Sequence, residues 1–562
     1  MVTFTFHLQS LQPKVDEAVK FFAQHSVVER FWKKDYTIWR SEEEHKKSIL
    51  NRLGWQTSIQ LMKENIGTLL AFANEIKNAG FTHVVVLGMG GSSLSPDVSR
   101  TVFGSAPGFP KMLVLDSTNP TSVLRIENSI SPAETLFIVA SKSGGTLETN
   151  VFYQYFYDRV GKVKKNPGDN FIAITDANTK MERIAVEKKF RKIFLNPADI
   201  GGRYSALSYF GIVPMALIGM DIEKILASAE QIQTLSKSEL SSNKAFHLGL
   251  AMGEAFRAGR DKLTFITSDE IAPFSFWMEQ LIAESTGKEG KGIVPIEGEQ
   301  FQRQNYFADQ FFIFLQLKKD EEKYLSCKKE LEQKIIPYSV VELDSVYDLG
   351  SQYFLWEIAT AVSAIVMKIN PFDEPNVKES KDNTERVIGN YVSSGTLPVN
   401  YEILQEKEFI LYGEPSYASQ IKKSTIAETI IKHCVGEKGK DYVALLAYID
   451  QDEQNNEHLS KLREIITKKT GLPVTVGFGP RYLHSTGQLH KGGASNGIFI
   501  IITANELRDA AIPGERYSFG ILKTAQALGD YQSLVQKNRR LIHLHISTNA
   551  NSGLQLLIKT IQ

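Results

Sequence analysis

HVVVLGMGGSSLSPDV, residues 83–98, carries the pattern that decides the fold of this 562-residue chain. A short, unbroken apolar run suits a strand buried on both faces, as in a parallel sheet. The glycines and paired serines after it suit a loop that leads into a helix. The pattern recurs at LFIVASKSGGTLETN (136–150), and related apolar runs stand at KMLVLD (111–116), NFIAITD (170–176) and KIFLN (192–196), separated by helix-length segments. Alternation of this kind predicts a doubly wound α/β lobe.

A second series follows at KLTFITS (262–268), QFFIFLQL (310–317) and SVVELD (339–344), then an apolar helix from about Tyr353 to Ile369. A third has YVALLAYI (442–449), LPVTVGF (472–478), IFIIIT (498–503) and LIHLHIS (541–547). The N-terminal stretches Val15 to Phe31, Glu42 to Leu53 and Trp55 to Ala73 are amphipathic and read as a helical cap or clasp. The expected layout is therefore an N-terminal helical extension (1–75), a first lobe (76–230), connecting helices with a second lobe (231–440) and a C-terminal α/β segment (441–562). The charged stretch from Asp320 to Lys334 reads as a solvated helix face.

Composition narrows the function. Lys plus Arg and Asp plus Glu each number 64, so the formal charge is zero. No basic excess exists to release counterions from a nucleic acid or to hold an acidic membrane, and neither is expected as a partner. An anion would have to be bound by a local site. The two cysteines, Cys327 and Cys434, offer neither a CxxC metal site nor a disulfide framework, which fits a reducing cytoplasm. The N-terminus MVTFTFHLQS has no signal-peptide pattern. The longest near-apolar stretch, Tyr209 to Met220, falls short of the about 20 residues that span a bilayer.

The two glycine- and serine-rich loops are the candidate ligand site. Ligands of open α/β sheets bind beyond the carboxyl ends of strands, where helix N-termini offer free N–H groups and a favourable dipole to an anion. The candidates are Gly88, Gly90, Gly91, Ser92 and Ser93 of the first loop and Ser141, Lys142, Ser143, Gly144, Gly145 and Thr146 of the second. Either loop alone could be mere helix capping; two on nearby strands of one sheet point to a site. GMGGSS lacks the last glycine of GxGxxG, and no GxxxxGK[ST] occurs, so a phosphate rather than a nucleotide is expected.

In FSFWMEQLIAESTGK (274–288), Trp277, Leu281, Glu284 and Lys288 fall on one helical face. The spacing is satisfied by an exposed Glu284–Lys288 pair at i, i+4. An acid on a buried stripe would instead be tuned toward general-base work. Arg203 in IGGRYSALS follows a strand and two glycines and could reach a cleft, and Lys381 ends FDEPNVKESK. His484 and His490 lie in RYLHSTGQLHKGG, dense in Gly, Ser and Thr, and histidine titrates near neutrality.

Together VVVLGMGGSSLSP, VASKSGGTLETN, IGGRYSALS, AESTGK and FDEPNVKESK resemble the motifs of the glucose-6-phosphate isomerase family, in that family's order. GSQYFLWEIATA, INPFDEPNV and LHSTGQLHKGG are similar to the isomerase portion of bacterial transaldolase–isomerase fusions. The roughly 80 residues before the first sheet are too few for the transaldolase barrel of about 250, so isomerase activity alone is expected. The resemblance implies tandem lobes of the sugar-isomerase (SIS) type, a hexose phosphate substrate, no metal or other cofactor, and a homodimer. It implies that Ser92, Ser141, Ser143 and Thr146 hold the phosphate with Lys142 beside it, and that Glu284 is the general base. Arg203 would stand by the reacting carbons, with Lys381 and His484 assisting ring opening. The histidine motif departs from the usual order by following Lys381 by about 100 residues; its likeness to LHSxGQ favours His484 over His490. A non-catalytic sugar-phosphate sensor would need the phosphate loops but not Glu284, Arg203 and Lys381. An isomerase of mannose 6-phosphate or an amino-sugar phosphate would keep all of them.

Overall fold

The computed structural model describes residues 2–298, 308–418 and 424–562. These residues pack as two compact units, one made of residues up to Asp116 with Ile130–Asp373, the other of Ser117–Ser129 with Glu374–Gln562. The architecture is α/β with largely parallel sheets, as the apolar runs predict.

The first unit holds two sheets. An edge strand β1 (Thr3–His7) precedes the N-terminal helices; its alternating TFTFH leaves one side of the strand more exposed than the other. The first sheet consists of β2 (His83–Gly88), β3 (Lys111–Leu115), β4 (Thr135–Ala140), β5 (Phe171–Asp176) and β6 (Lys192–Asn196), all parallel in the order β3-β2-β4-β5-β6. Strand β4 is buried along its whole length, which is why it reads as continuous apolar sequence. The second sheet adds β7 (Lys262–Thr267), β8 (Val294–Ile296), β9 (Gln310–Leu317) and β10 (Tyr338–Leu343) in the order β1-β10-β9-β7-β8, with β1 antiparallel to β10 and the rest parallel.

The N-terminal helices are part of this unit's core. Phe31 and Trp55 are fully buried in the same cluster as Trp277 and Trp356, and Trp39 Nε1 donates to the Ala361 carbonyl at 2.8 Å. Backbone pairing of Leu53 with Ile200, and of Gly54 N–H with the Asp199 carbonyl at 2.8 Å, props the loop that carries Arg203.

The second unit has one sheet: β11 (Glu402–Glu406), β12 (Phe409–Tyr412), β13 (Tyr442–Tyr448), β14 (Val474–Phe478), β15 (Gly497–Ala504) and β16 (Arg540–Ile546), in the order β11-β12-β16-β15-β13-β14. The hairpin β11–β12 runs antiparallel on β16, and the other four strands are parallel. The crevice between β13 and β15, where the strand order reverses, is filled by the chain itself. Ser122 and Arg125 bond Asp450 beyond β13, and Asn119 donates to Glu506 beyond β15 at 2.8 Å. No described helix is long and apolar enough to cross a membrane.

Candidate active site

The order β3-β2-β4-β5-β6 reverses direction between β2 and β4, and at such switch points an open sheet leaves a crevice for a ligand. The two loops singled out from sequence are the ones that follow these strands. Gly88 and Ala140 are direct partners at the ends of β2 and β4, so Gly90–Ser92 and Ser141–Thr146 begin side by side. Ser92 is buried in a short 3₁₀ turn before helix Leu94–Val102. Ser141 is only 2% exposed, and its hydroxyl lies 3.0 Å from that of Thr146.

Thr146 is the N-cap residue of helix Leu147–Gly161, and its side chain makes no capping bond to the first turn. A helix start whose N–H groups have no capping side chain, faced by hydroxyls, is suited to an anion. Ser143 and Gly145 are exposed, with the Gly145 N–H donating to the Ser143 hydroxyl at 3.2 Å. Gly144 takes a left-handed φ of 64° and packs so closely that a Cβ would lie 2.8 Å from the Met181 nitrogen. Lys142 is committed to an ion pair with Asp176 and also donates to the Ala198 carbonyl at 2.7 Å. Burial pushes the Asp176 carboxyl above its ordinary range, and the Lys142 ammonium opposes that shift.

Gly91 joins this loop to the arginine segment. A Cβ there would lie 1.9 Å from the Gly202 carbonyl oxygen, closer than any side chain tolerates. Gly91→Ala is therefore expected to destabilise the protein by about 1–3 kcal/mol or more through overpacking, read as a lowered urea midpoint. An unchanged midpoint would show that the two loops do not need this approach.

Arg203 is 3% exposed, and protein partners surround its guanidinium. Nη1 pairs with Glu284 Oε1 at 3.1 Å, Nε donates to the Ser285 hydroxyl at 2.9 Å, and Nη2 donates to the carbonyls of Pro371 (2.7 Å) and Asp373 (3.0 Å). Glu284, with a 12% exposed side chain, also accepts from Gln280 Nε2 at 3.1 Å through its other oxygen. It sits near the end of helix Phe274–Thr286, and that helix stops before Lys288. Lys288 is itself buried and donates to the carbonyl and carboxylate of Asp373 at 2.5 and 2.8 Å. The exposed Glu284–Lys288 pair that spacing alone would satisfy is not what forms. Four motifs thus meet within the first unit: GMGGSS against IGGRYS, and IGGRYS and AESTGK against the start of FDEPN. Sequence reading missed Ser285 and Asp373 as supports of the arginine; the only signal was that both lie inside recognised motifs.

Lys381 and His484 belong to the second unit. Lys381 is exposed on the second turn of helix Val377–Ser394. His484 is half-buried and ends the 3₁₀ turn Arg481–His484 that follows β14. His490 is enclosed, its ring 5.9 Å from that of Tyr482 and 5.1 Å from that of Phe499. Burial, with Lys491 and Arg539 adding to it, pushes its pKa well below the usual histidine range. His490 is thus a neutral core residue, and His484 is the histidine of this loop with access to solvent.

The family profile described as phosphoglucose isomerase matches residues 62–304. That range includes the two loops, Arg203 and Glu284, and ends before Lys381 and His484. The chain is 28% identical over 385 residues to a glucose-6-phosphate isomerase of Mycoplasmopsis pulmonis, covering 60% of this chain and 90% of the relative. It is 28% identical over 346 residues to one of Methanocaldococcus jannaschii, covering 55% of this chain and 85% of the relative. Among solved structures, a glucose-6-phosphate isomerase from Chlamydia trachomatis superposes with a TM-score of 0.59 at 19% identity, covering 70% of this chain and 89% of that one. A hypothetical protein from Thermus thermophilus gives 0.56 at 22% identity, covering 69% and 99%. At these identities the structural likeness speaks for the fold.

Proposed function

Because residues 62–304 match the family profile described as phosphoglucose isomerase, we propose that the chain interconverts glucose 6-phosphate and fructose 6-phosphate by proton transfer through a cis-enediol. The observation that carries this reading is the Arg203–Glu284 pair, a shielded carboxylate held at a fixed angle in the same unit as the hydroxyl-lined helix start.

In this reading the sugar phosphate docks at the loops of Gly91, Ser92, Ser141, Ser143 and Thr146, with Lys142 beside it. His484, with Lys381, transfers the proton that opens the hemiacetal ring. Glu284 then removes the C2 proton of the aldose and returns it to C1, while the proton of the C2 hydroxyl moves to the C1 carbonyl oxygen. Negative charge grows on the enediolate oxygens as the C–H bond breaks, and the fixed Arg203 charge favours it. The carboxylate is held by Arg203 and Gln280, so little reorientation is needed before transfer. A homodimer in the cytoplasm is part of the proposal.

The phosphate assignment has its own test. Removing one hydroxyl that bonds a charged group costs about 1.5–3 kcal/mol. Ser141→Ala and Thr146→Ala are therefore each expected to raise KM for the sugar phosphate by about 10- to 100-fold, since 1.4 kcal/mol is a factor of ten, with kcat less affected. An unchanged KM in both variants would move the phosphate elsewhere. The reaction itself is tested by a coupled assay of purified protein with fructose 6-phosphate, beside mannose 6-phosphate and glucosamine 6-phosphate. We expect turnover of fructose 6-phosphate; binding of all three without turnover would instead describe a sensor.

A further inference from the structure

We propose that Gln488 is a positioning residue that locks the His484 loop to the start of the helix carrying Lys381. This rests on the roles given above to His484 and Lys381, and adds the part of the second unit that holds them in register.

Gln488 is fully buried in the short helix Gly487–Gly492, four residues after His484. Its side-chain oxygen accepts from the backbone N–H of Asn376 at 2.9 Å, and its side-chain nitrogen donates to Asn376 Oδ1 at 2.9 Å. A backbone N–H can only donate, so the Gln488 oxygen must face it. That orientation turns the amide nitrogen toward Asn376 and fixes which end of the Asn376 amide answers. Asn376 immediately precedes helix Val377–Ser394, in which Lys381 is the fifth residue. Two bonds from one side-chain amide, to the backbone and to the side chain of Asn376, set both a distance and an angle, which one bond would not.

Both linked elements also rest on one platform, helix Phe519–Gln536. Beneath the histidine loop, the Tyr482 hydroxyl donates to Asp530 at 2.5 Å and Lys491 pairs with Asp530 at 2.7 Å, all three side chains being buried. Beneath the lysine helix, Asn383 donates to the Ser533 hydroxyl at 2.8 Å. Gly529 lies so close that a Cβ there would be 2.9 Å from the Thr384 nitrogen. The platform fixes the height of each element, and the Gln488–Asn376 clamp fixes one against the other. Asn376 and Gln488 come from FDEPNVKESK and LHSTGQLHKGG, motifs separated by about 100 residues in the chain, and the clamp joins them through the amide of Gln488 and an acceptor oxygen on Asn376.

Misplacing a catalytic group by about 1 Å can cost on the order of 10²-fold in rate. Gln488→Leu, which keeps the volume and loses both bonds, is expected to lower kcat for fructose 6-phosphate by about 10- to 100-fold with KM within about twofold. Asn376→Asp keeps an acceptor for the Gln488 nitrogen and its own backbone N–H, and should retain kcat within about twofold. A Gln488→Leu enzyme with wild-type kcat, or one whose loss lies in KM and not in kcat, would overturn the proposal and leave Gln488 as ordinary packing. Asn376→Asp as impaired as Gln488→Leu would do the same. Wild-type kcat in His484→Gln is a separate failure: it removes the histidine's role itself, and the clamp's purpose with it.

Discussion

Glu284→Gln is expected to slow turnover of fructose 6-phosphate by about 10²- to 10⁴-fold, the span that positioned acid–base catalysis contributes, while KM stays within a few-fold. The amide has the shape of the carboxylate and can still accept from Arg203 Nη1, which stands 3.1 Å from Oε1. Packing of helix Phe274–Thr286 should therefore survive, and the protein should fold and bind its substrate. What the amide lacks is a basic oxygen to take the C1 proton of the ketose. Steady-state kinetics with a unfolding midpoint measured alongside separate these effects. Near-normal kcat would remove Glu284 from the chemistry whatever the stability.

Replacing Arg203 is expected to do more, because the residue serves structure and charge together. Arg203→Met removes the Arg203 charge from beside the Glu284 carboxylate and its donor from the Pro371 carbonyl, and leaves the Asp373 carbonyl with Lys288 alone. Removing one partner of a buried ion pair typically costs about 3–5 kcal/mol, and loss of a preorganised donor at a developing oxyanion costs about 10²- to 10³-fold in kcat. Both losses are expected, read by urea unfolding and by kcat. Arg203→Lys should recover little of either, since one ammonium cannot reach partners on so many sides of a planar guanidinium. A double-mutant cycle sharpens the claim: in the Glu284→Gln background the Arg203→Met penalty should shrink by about 0.5–3 kcal/mol, the coupling usual for residues in contact. Strict additivity would mean that the pair, though adjacent, is energetically idle.

Much of the fold could be read from the chain because its parallel strands are buried on both faces. Runs such as Thr135–Ala140 and Tyr442–Tyr448 are enclosed at every residue, so hydrophobicity alone marks them. The strands that went unread are short or lie in less buried surroundings. Val294–Ile296 has three residues, and Glu402–Glu406 has no buried residue. The two glycine- and serine-rich loops stood out as a pair, since either alone could be helix capping, and the sheet order puts both at one switch point. Sequence could not show that Lys288 would turn to Asp373, because the helix end at Thr286 breaks the i, i+4 spacing. Nor could it show that Ser117–Ser129 leaves the first sheet's crossover to pack with the second unit, or that Gln488 would meet Asn376. Each depends on contacts between segments far apart in the chain, for which local pattern holds no record.

The central claim, that this chain moves a proton between C2 and C1 of a hexose 6-phosphate, is tested most directly by incubating the purified protein with fructose 6-phosphate in deuterium oxide and following the products by NMR. Glucose 6-phosphate should form with deuterium at C2 in a measurable fraction of molecules, and the Glu284→Gln enzyme should produce neither the product nor the label at a comparable rate. No glucose 6-phosphate from the wild-type protein, or labelled glucose 6-phosphate from the Glu284→Gln enzyme at the wild-type rate, would contradict the account.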